Sequence, residues 1–458
     1  MSENIRAGSA RATITPPLGI RLQGSITRDQ PAHRVMDDLY AKLLLIEIDA
    51  ERPALFTCDV IEFSRSFVSR VRERLRSEFG FKDENVMLCP SHTHTGPATI
   101  DLQDVTPDPD YLVQVEKQLA GLVRAAERKM VEVTVSVGRR RAEGVGINRR
   151  LATPRGIRQL PNPEGITDPE VKVVRFDDSN GDPVAFLVNY ATHPTTLGVH
   201  VYEISADFPG RMQRIVEDTY GNRSMVHFVQ GACGDVKAAA IGEDGNFKEA
   251  EEVDIERLGR KLAGAVIYAL ESTEPVDCAS IRVTKKDIDF RYRRVPSSAE
   301  YEQLIEIHTR EYERWRASDE ETKRNADWED AHINRTLMHR SMINWATRMR
   351  DLAKRGEIPE STPGELQIFR LGTEIALVGV PGELFTDIGL TVKRNSPVPF
   401  TMICGYANGT LGYIPSKAAV QEGGYEVNDA YKLYGFPECF HEDTEPMLYR
   451  EIDAALRD

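Results

Sequence analysis

Short apolar runs along this chain alternate with stretches in which apolar residues recur every three or four positions. The runs LYAKLLLIEI (39–48) and PALFTCDVI (53–61) predict strands, Ser66 to Phe79 predicts an amphipathic helix, and NVMLC (85–89) returns to a strand. Asp108-Pro109-Asp110 opens another helix, its proline suited to a first helical turn. VEVTVSVG, VKVVRF and PVAFLVNY, from 131, 171 and 183, add strands, and the Pro-, Gly- and Arg-rich run from Arg149 to Asp168 reads as a long loop. A helix is expected from Gly210 to about Tyr220, a strand at VHFVQ before the turn GACGD, and a helix from Glu251 to Leu270. ELQIFRL, EIALVGV and FTMICGY then bring the chain back to strands. The pattern predicts an α/β fold, a single large mixed-sheet domain over 1–458.

Residues 298–356 break the alternation: charge is dense, Gly nearly absent, and the apolar spacing is helical throughout, so a helical insert of two or three helices is expected. All three tryptophans, Trp315, Trp328 and Trp345, fall there, as hairpin core or an oligomer contact. No internal repeat is visible. With 58 Lys and Arg against 72 Asp and Glu, the net charge is -14, which gives no general attraction to nucleic acid. The N-terminus lacks a basic segment followed by an apolar one, and no apolar run approaches the ~18 residues of a spanning helix. Six cysteines without CxxC spacing point to reduced thiols. A cytoplasmic protein without a membrane span, acting on a small-molecule substrate, is expected, with homo-oligomerisation open.

The chemistry concentrates in a few turns. His92 and His94 of SHTHTGPA follow a strand; in an extended segment positions i and i+2 face the same side, so both imidazoles address one point, as two metal ligands or as a ligand and a base. His193 of NYATHPTTLG sits just past another strand, where side chains of distant segments converge. The other histidines, His33, His200, His227, His308, His332, His339 and His441, lack such a setting. Glu383 follows the Pro381-Gly382 break at an apparent helix start, as a ligand carboxylate or an acid favoured by the helix dipole. Tyr406, Tyr413 and Tyr425 lie in a loop punctuated by glycines. Asp207 and Asp235, with Asp59 a weaker case, suit either acceptors for ligand histidines or turn and cap acids.

Together these segments resemble the neutral ceramidase family of zinc amidases. The resemblance runs through ATITPP, DDLYAKLLLIE, SHTHTGPA, GINRR, NYATHPTTLG, SADFPG, GACGDV and GVPGELF to NGTLGYIP and GGYEV, most of the chain outside the insert. It implies that His92, His193, Glu383 and Tyr413, the last five residues past Asn408, hold one Zn2+. It implies further that His94 transfers protons beside the metal and that Arg149 and Tyr425 contact the substrate's polar head. Two imidazoles and a carboxylate are the protein ligands of many hydrolytic zinc sites. Where the family reads GDVSPN this chain reads GDVKAA, so Lys237 replaces a serine and a serine nucleophile is excluded.

The expected function is therefore a zinc-dependent hydrolase that cleaves an amide, or an ester, with zinc-activated water. Seven arginines between Arg139 and Arg158 (Arg139, Arg140, Arg141, Arg149, Arg150, Arg155 and Arg158) favour a small polar or anionic substrate, unless they form a merely solvated face. The alternatives are a metal-dependent lactonase or isomerase acting on a sugar-acid-like substrate, a true ceramidase, and a metal-binding protein without catalysis.

Overall fold

The computed structural model describes residues 5–25, 28–49, 51–102, 104–318 and 335–457; Trp328 and His332 lie outside them. Three sheets carry the chain, and they share one plan. In the first, Arg6–Thr13 pairs antiparallel with Tyr40–Glu47, which pairs antiparallel with Ala54–Cys58, which pairs in parallel with Val86–Pro90. The second repeats this with Thr134–Arg141, Glu170–Asp177, Pro183–Tyr190 and Met225–Gln230. The third repeats it with Ile281–Arg291, Ser361–Leu371, Ile375–Gly379 and Phe400–Cys404. In each unit a helix joins the third strand to the parallel fourth (Arg65–Phe79, Asp207–Thr219, Thr386–Asn395), and another follows the fourth (Pro109–Glu127, Glu252–Leu270, Thr444–Arg457). The threefold repetition is one of topology, carried by side chains too different for the sequence to display it.

Local chemistry sets the helix ends. Ser64 caps Arg65–Phe79 by accepting from the Phe67 amide, and Gly80 ends it in the left-handed region (φ 73°). Asp108 caps Pro109–Glu127 through the amides of Asp110 and Tyr111, with Pro109 in the first turn as its missing N–H allows.

The second to fourth strands of each sheet are buried on both faces, which is why they read as continuous apolar runs, while the first strand of the third sheet, Ile281–Arg291, is mostly exposed or half-buried and polar. Outer faces pack under the helix pairs: Phe56 and Leu88 on Phe67, Val71 and Leu119 in the first unit, Phe186 and Phe228 on Met212 and Leu262 in the second, Ile368 and Val378 on Ile388 and Ile452 in the third. The inner faces meet in one shared core of Leu44, Leu55, Met87 and Cys89, Val174, Leu187 and Val229, and Phe369, Leu377, Met402 and Cys404. Each such side chain contributes about 1.5–3 kcal/mol on full burial. Polar links tie the units in a ring: Lys42 Nζ donates to Val226 O (2.9 Å), Lys172 Nζ to Thr401 O (2.8 Å), and Gln367 Nε2 to Val86 O (3.2 Å).

One expectation changes. The run from Arg149 is not a long loop: Gly146–Thr153 and Gly156–Asn162 form a hairpin, which inserts between the first two strands of the second unit. The helical insert, Ser298–Ala317 and Arg335–Arg355, occupies the corresponding place in the third unit, and residues 14–39 occupy it in the first. The insert packs around Tyr301, Trp345, Ala346 and Met349. Among the described residues no helix is long and apolar enough to cross a membrane.

Candidate metal centre

The first, third and fourth strands of every unit run in one direction, so their carboxyl ends and the inserts gather at one end of the molecule. Open α/β sheets place their sites there. Four residues past the third strand stand Glu62 in the first unit and Glu383 in the third, while His193 stands three past it in the second. The loops after the fourth strands bring His92 and His94, then Cys233, Asp235 and Lys237, then Tyr406, Tyr413, Tyr425 and Tyr434.

His92, His193 and Glu383 are 0–1 % exposed, whereas His94 is half-buried. Each ring directs Nδ1 at a main-chain carbonyl: His92 to Ile61 O (3.0 Å), His94 to Gly24 O (2.8 Å) and His193 to Cys233 O (2.6 Å). A carbonyl only accepts, so each Nδ1 carries the hydrogen and each Nε2 offers a lone pair. These lone pairs converge, with His92 Nε2 3.1 Å from His94 Nε2 and 3.4 Å from Glu383 Oε2, and His193 Nε2 2.7 Å from that same oxygen. Ligand atoms bound tetrahedrally at 2.0–2.1 Å are about 3.3 Å apart, close to this spacing. Burial holds His94 well below the usual imidazole range and brings His193 down to about 4, so both are neutral near pH 7. Acceptors crowded around one point with no hydrogen to share suit a cation, and borderline nitrogen and oxygen donors suit zinc.

The presentation differs from the extended geometry expected. The strand ends at Pro90, and His92 takes a left-handed backbone (φ 67°), its amide bonded to Val60 O (2.9 Å). Asp207, Tyr406 and Asn408, all near the centre, also have φ of 55–62°, conformations that cost of order 1–3 kcal/mol each and gather at functional sites. Glu383 is likewise not at a helix start. It lies in the two-residue strand Glu383–Leu384, and the helix begins at Thr386.

Tyr413 lies opposite Glu383 in that pairing and stacks at 6.3 Å on His193. Its hydroxyl oxygen accepts from Arg149 Nη2 at 2.8 Å, and burial pushes its phenol well above the usual range despite that arginine. Arg149 is itself buried, donating to Gly234 O (2.7 Å) and Glu426 Oε1 (3.0 Å). Half-buried Tyr425 meets the Tyr413 ring edge-on at 6.0 Å. All seven residues expected at the site are thus gathered at one end of the fold.

The flanking acids do different work. Asp207 accepts from the amides of Thr196 (2.9 Å) and Phe208 (2.6 Å), closing the loop after His193. Asp235 accepts from the Thr386 amide (2.8 Å) and hydroxyl (2.7 Å), and Asp59 accepts from the Tyr40 amide (3.0 Å). Main-chain carbonyls, not these carboxylates, orient the imidazoles. The arginine cluster disperses as well: Arg139 and Arg141 pair with Glu170 and Glu143, and Arg140 lies over Tyr268, while Arg149 and Arg150 share Glu426. Lys237 bridges to His193 through the backbone and sets its ammonium 4.6 Å from the Phe247 ring centroid.

Three neighbours escaped the sequence reading of the site. Tyr406 stacks on His92 at 4.0 Å and touches Cys233 Sγ through its hydroxyl (3.2 Å). Glu62 is wholly buried, 3.7 Å from His92 Nδ1, and its Oε2 has no hydrogen-bond partner among the described residues. Burial and the Glu383 charge push its carboxyl well above the usual range. Tyr434 donates to Glu383 Oε1 at 2.5 Å and has Glu62 Oε1 at 3.3 Å. Glu62 carried one legible signal, a spacing after its strand that matches that of Glu383.

Residues 6–254, more than half of the chain, match the family described as neutral/alkaline non-lysosomal ceramidase, N-terminal. The chain is 26 % identical over 222 residues to neutral ceramidase 2 of Arabidopsis thaliana and 25 % identical over 218 residues to the neutral ceramidase of Oryza sativa subsp. japonica. These alignments cover 45 % and 44 % of this chain but only 29 % and 27 % of those relatives. Among solved structures, a ceramidase complexed with C2 superposes with a TM-score of 0.75 at 16 % identity, over 99 % of this chain and 75 % of that one. The neutral ceramidase of Pseudomonas aeruginosa gives 0.70 at 16 % identity, over 99 % and 74 %. The family match contains His92, His94, Arg149 and His193, while Glu383, Tyr413 and Tyr425 lie beyond it.

Proposed function

Since the chain belongs to the neutral/alkaline non-lysosomal ceramidase family, we propose that it hydrolyses a carbon–nitrogen amide bond at a zinc centre held by His92, His193, Glu383 and Tyr413. The observation that carries the reading is the convergence of imidazole Nε2 atoms on Glu383 Oε2 in a buried pocket, with every Nδ1 tied to a carbonyl. Zinc bound there supplies a Lewis acid for the scissile carbonyl and lowers the pKa of water.

The remaining roles belong to the chain's own groups. His94 is the ring of the three that reaches solvent; neutral and fixed through Nδ1, it takes a proton at Nε2 from the attacking water and returns it to the leaving nitrogen. Arg149 stays charged, because Tyr413 and Glu426 outweigh its burial, and it braces the phenol while offering positive charge to the carbonyl oxygen. Tyr425, partly open to solvent, contacts the substrate's polar head.

The substrate is small and polar. Beside Tyr434 lies a cavity of about 360 Å³ lined by Asp101, Asp104, Arg348 and Lys432 together with Leu102 and Trp345, and its charged groups suit a hydrogen-bonding head. A true ceramidase is the second reading, favoured by the superposition on a ceramidase complexed with C2.

Mass-spectrometric screening of N-acyl compounds against the zinc-loaded chain tests both readings. Products that gain one water identify hydrolysis, and an unchanged mass identifies an isomerase. Cleavage of short-chain ceramide faster than every polar amide would replace the polar substrate by a lipid.

A further inference from the structure

The inserts of the first two units each serve the centre directly: residues 14–39 provide Gly24 O for His94, and the 146–162 hairpin provides Arg149. The third unit's insert, the helical pair, reaches it through one segment. Trp345 Nε1 donates to Phe436 O (2.8 Å), Tyr301 donates to Pro437 O (3.2 Å), and Tyr431 lies edge-on to the Trp345 ring at 5.9 Å. Residues 431 to 437 are therefore gripped on both sides of Tyr434.

Tyr434 in turn packs with Leu433 against Ile61, Ile100 and Leu102. Its ring fills the space over Gly412, where a Cβ would come within 2.8 Å of Tyr434 Cδ2 on a backbone with φ 63°. The hydroxyl has one hydrogen and two carboxylates within reach. At 2.5 Å against 3.3 Å, it goes to Glu383 Oε1. This bond engages the outer oxygen and leaves Oε2 aimed at His92 and His193.

We propose that Tyr434 is a positioning residue for the Glu383 carboxylate, and that the helical insert holds it in place. The proposal rests on the reading of the centre as a metal site. Hydrogen-bond partners of this kind fix a ligand's orientation, and their loss costs about 10–100-fold in metal affinity. With the hydroxyl gone, Oε1 is a buried acceptor without a donor, and the carboxylate is free to rotate away from its neighbours.

The test measures zinc affinity by chelator competition on the full chain, together with the melting temperature of the metal-free protein. Tyr434→Phe keeps the ring and removes the hydroxyl; its zinc Kd is expected to rise about 10–100-fold, while the metal-free protein stays folded at the assay temperature with its melting temperature lowered by only a few degrees for the one lost hydrogen bond. Trp345→Phe, which removes the indole N–H to Phe436 O and part of the ring that packs on Tyr431, should raise Kd in the same direction by less. Wild-type affinity in Tyr434→Phe overturns the proposal, as does a drop in metal-free melting temperature large enough to account for the weaker binding. A wild-type chain that binds no zinc overturns the metal-centre reading itself, whereas equal binding by wild type and variant removes only the role of Tyr434.

Discussion

Glu383 and Tyr413 face each other across a parallel pairing only two residues long, so two groups thirty positions apart in sequence are presented from adjacent backbones. The phenol also receives Arg149, which makes it a ligand candidate and a counterpart for a buried cation. Tyr413→Phe should weaken zinc binding at least about tenfold and lower kcat, as measured by chelator competition and steady-state kinetics. Unchanged zinc affinity would remove Tyr413 from the ligand set.

On the proposed reading His193 holds the metal and His94 transfers the proton. His193→Ala should lose zinc, whereas His94→Ala should keep about one zinc per chain and lose about 100-fold or more in turnover. Elemental analysis beside kinetics checks the division. Because His94 Nε2 lies 3.1 Å from His92 Nε2, equal metal loss in both variants would make His94 a ligand instead.

Glu426 is wholly buried and is shared by two buried guanidiniums, Arg149 at 3.0 Å and Arg150 at 2.8 Å. Glu426→Gln leaves buried Arg149 without its carboxylate, while Arg150 keeps Glu422 at 3.2 Å. The expected loss is about 3–5 kcal/mol in urea unfolding. Arg155→Glu, at an exposed hairpin position, should change stability by roughly 0.5 kcal/mol or less.

His227 provides a pH dependence distant from the centre. It sits in the core against Ser9 Oγ (2.8 Å), and burial, with Lys42 nearby, brings its imidazole down to about 3. The unfolded chain takes up this proton at about pH 6.5 and the folded chain only near 3, so stability is full above 6.5 and falls as pH drops through that window. His227→Gln in metal-free protein should flatten the decline by about 1.4 kcal/mol per pH unit between pH 6 and 4. Parallel curves for variant and wild type in urea titrations would contradict this.

The second to fourth strands of each unit and most of the longer helices are legible because those strands are buried and their apolar runs unbroken, whereas the first strands Arg6–Thr13 and Ile281–Arg291, rich in polar residues, and the helices Thr386–Asn395 and Thr444–Arg457 are not. The 146–162 hairpin was not: Pro, Gly and Arg normally punctuate loops, and here Arg150 gains a buried partner that local composition does not reveal. Threefold repetition stayed hidden because unit inserts of unlike length separate the equivalent strands. Within the site, His92, His193 and Glu383 stood out by their place after strands. Tyr434 had no such mark, since its role depends on a helical pair about a hundred residues upstream.

The ring of three units also orders the centre in time. A ribosome makes His92 and His94 with the first unit and His193 with the second, each accompanied by the helix pair that covers its own sheet. Glu383 and Tyr413 arrive only with the third, after the helical insert has been synthesised. During elongation the histidines, with Glu62 beside His92, therefore precede Glu383 and Tyr413. On the proposed reading the ligand set is complete only where the third sheet joins the other two in the shared core.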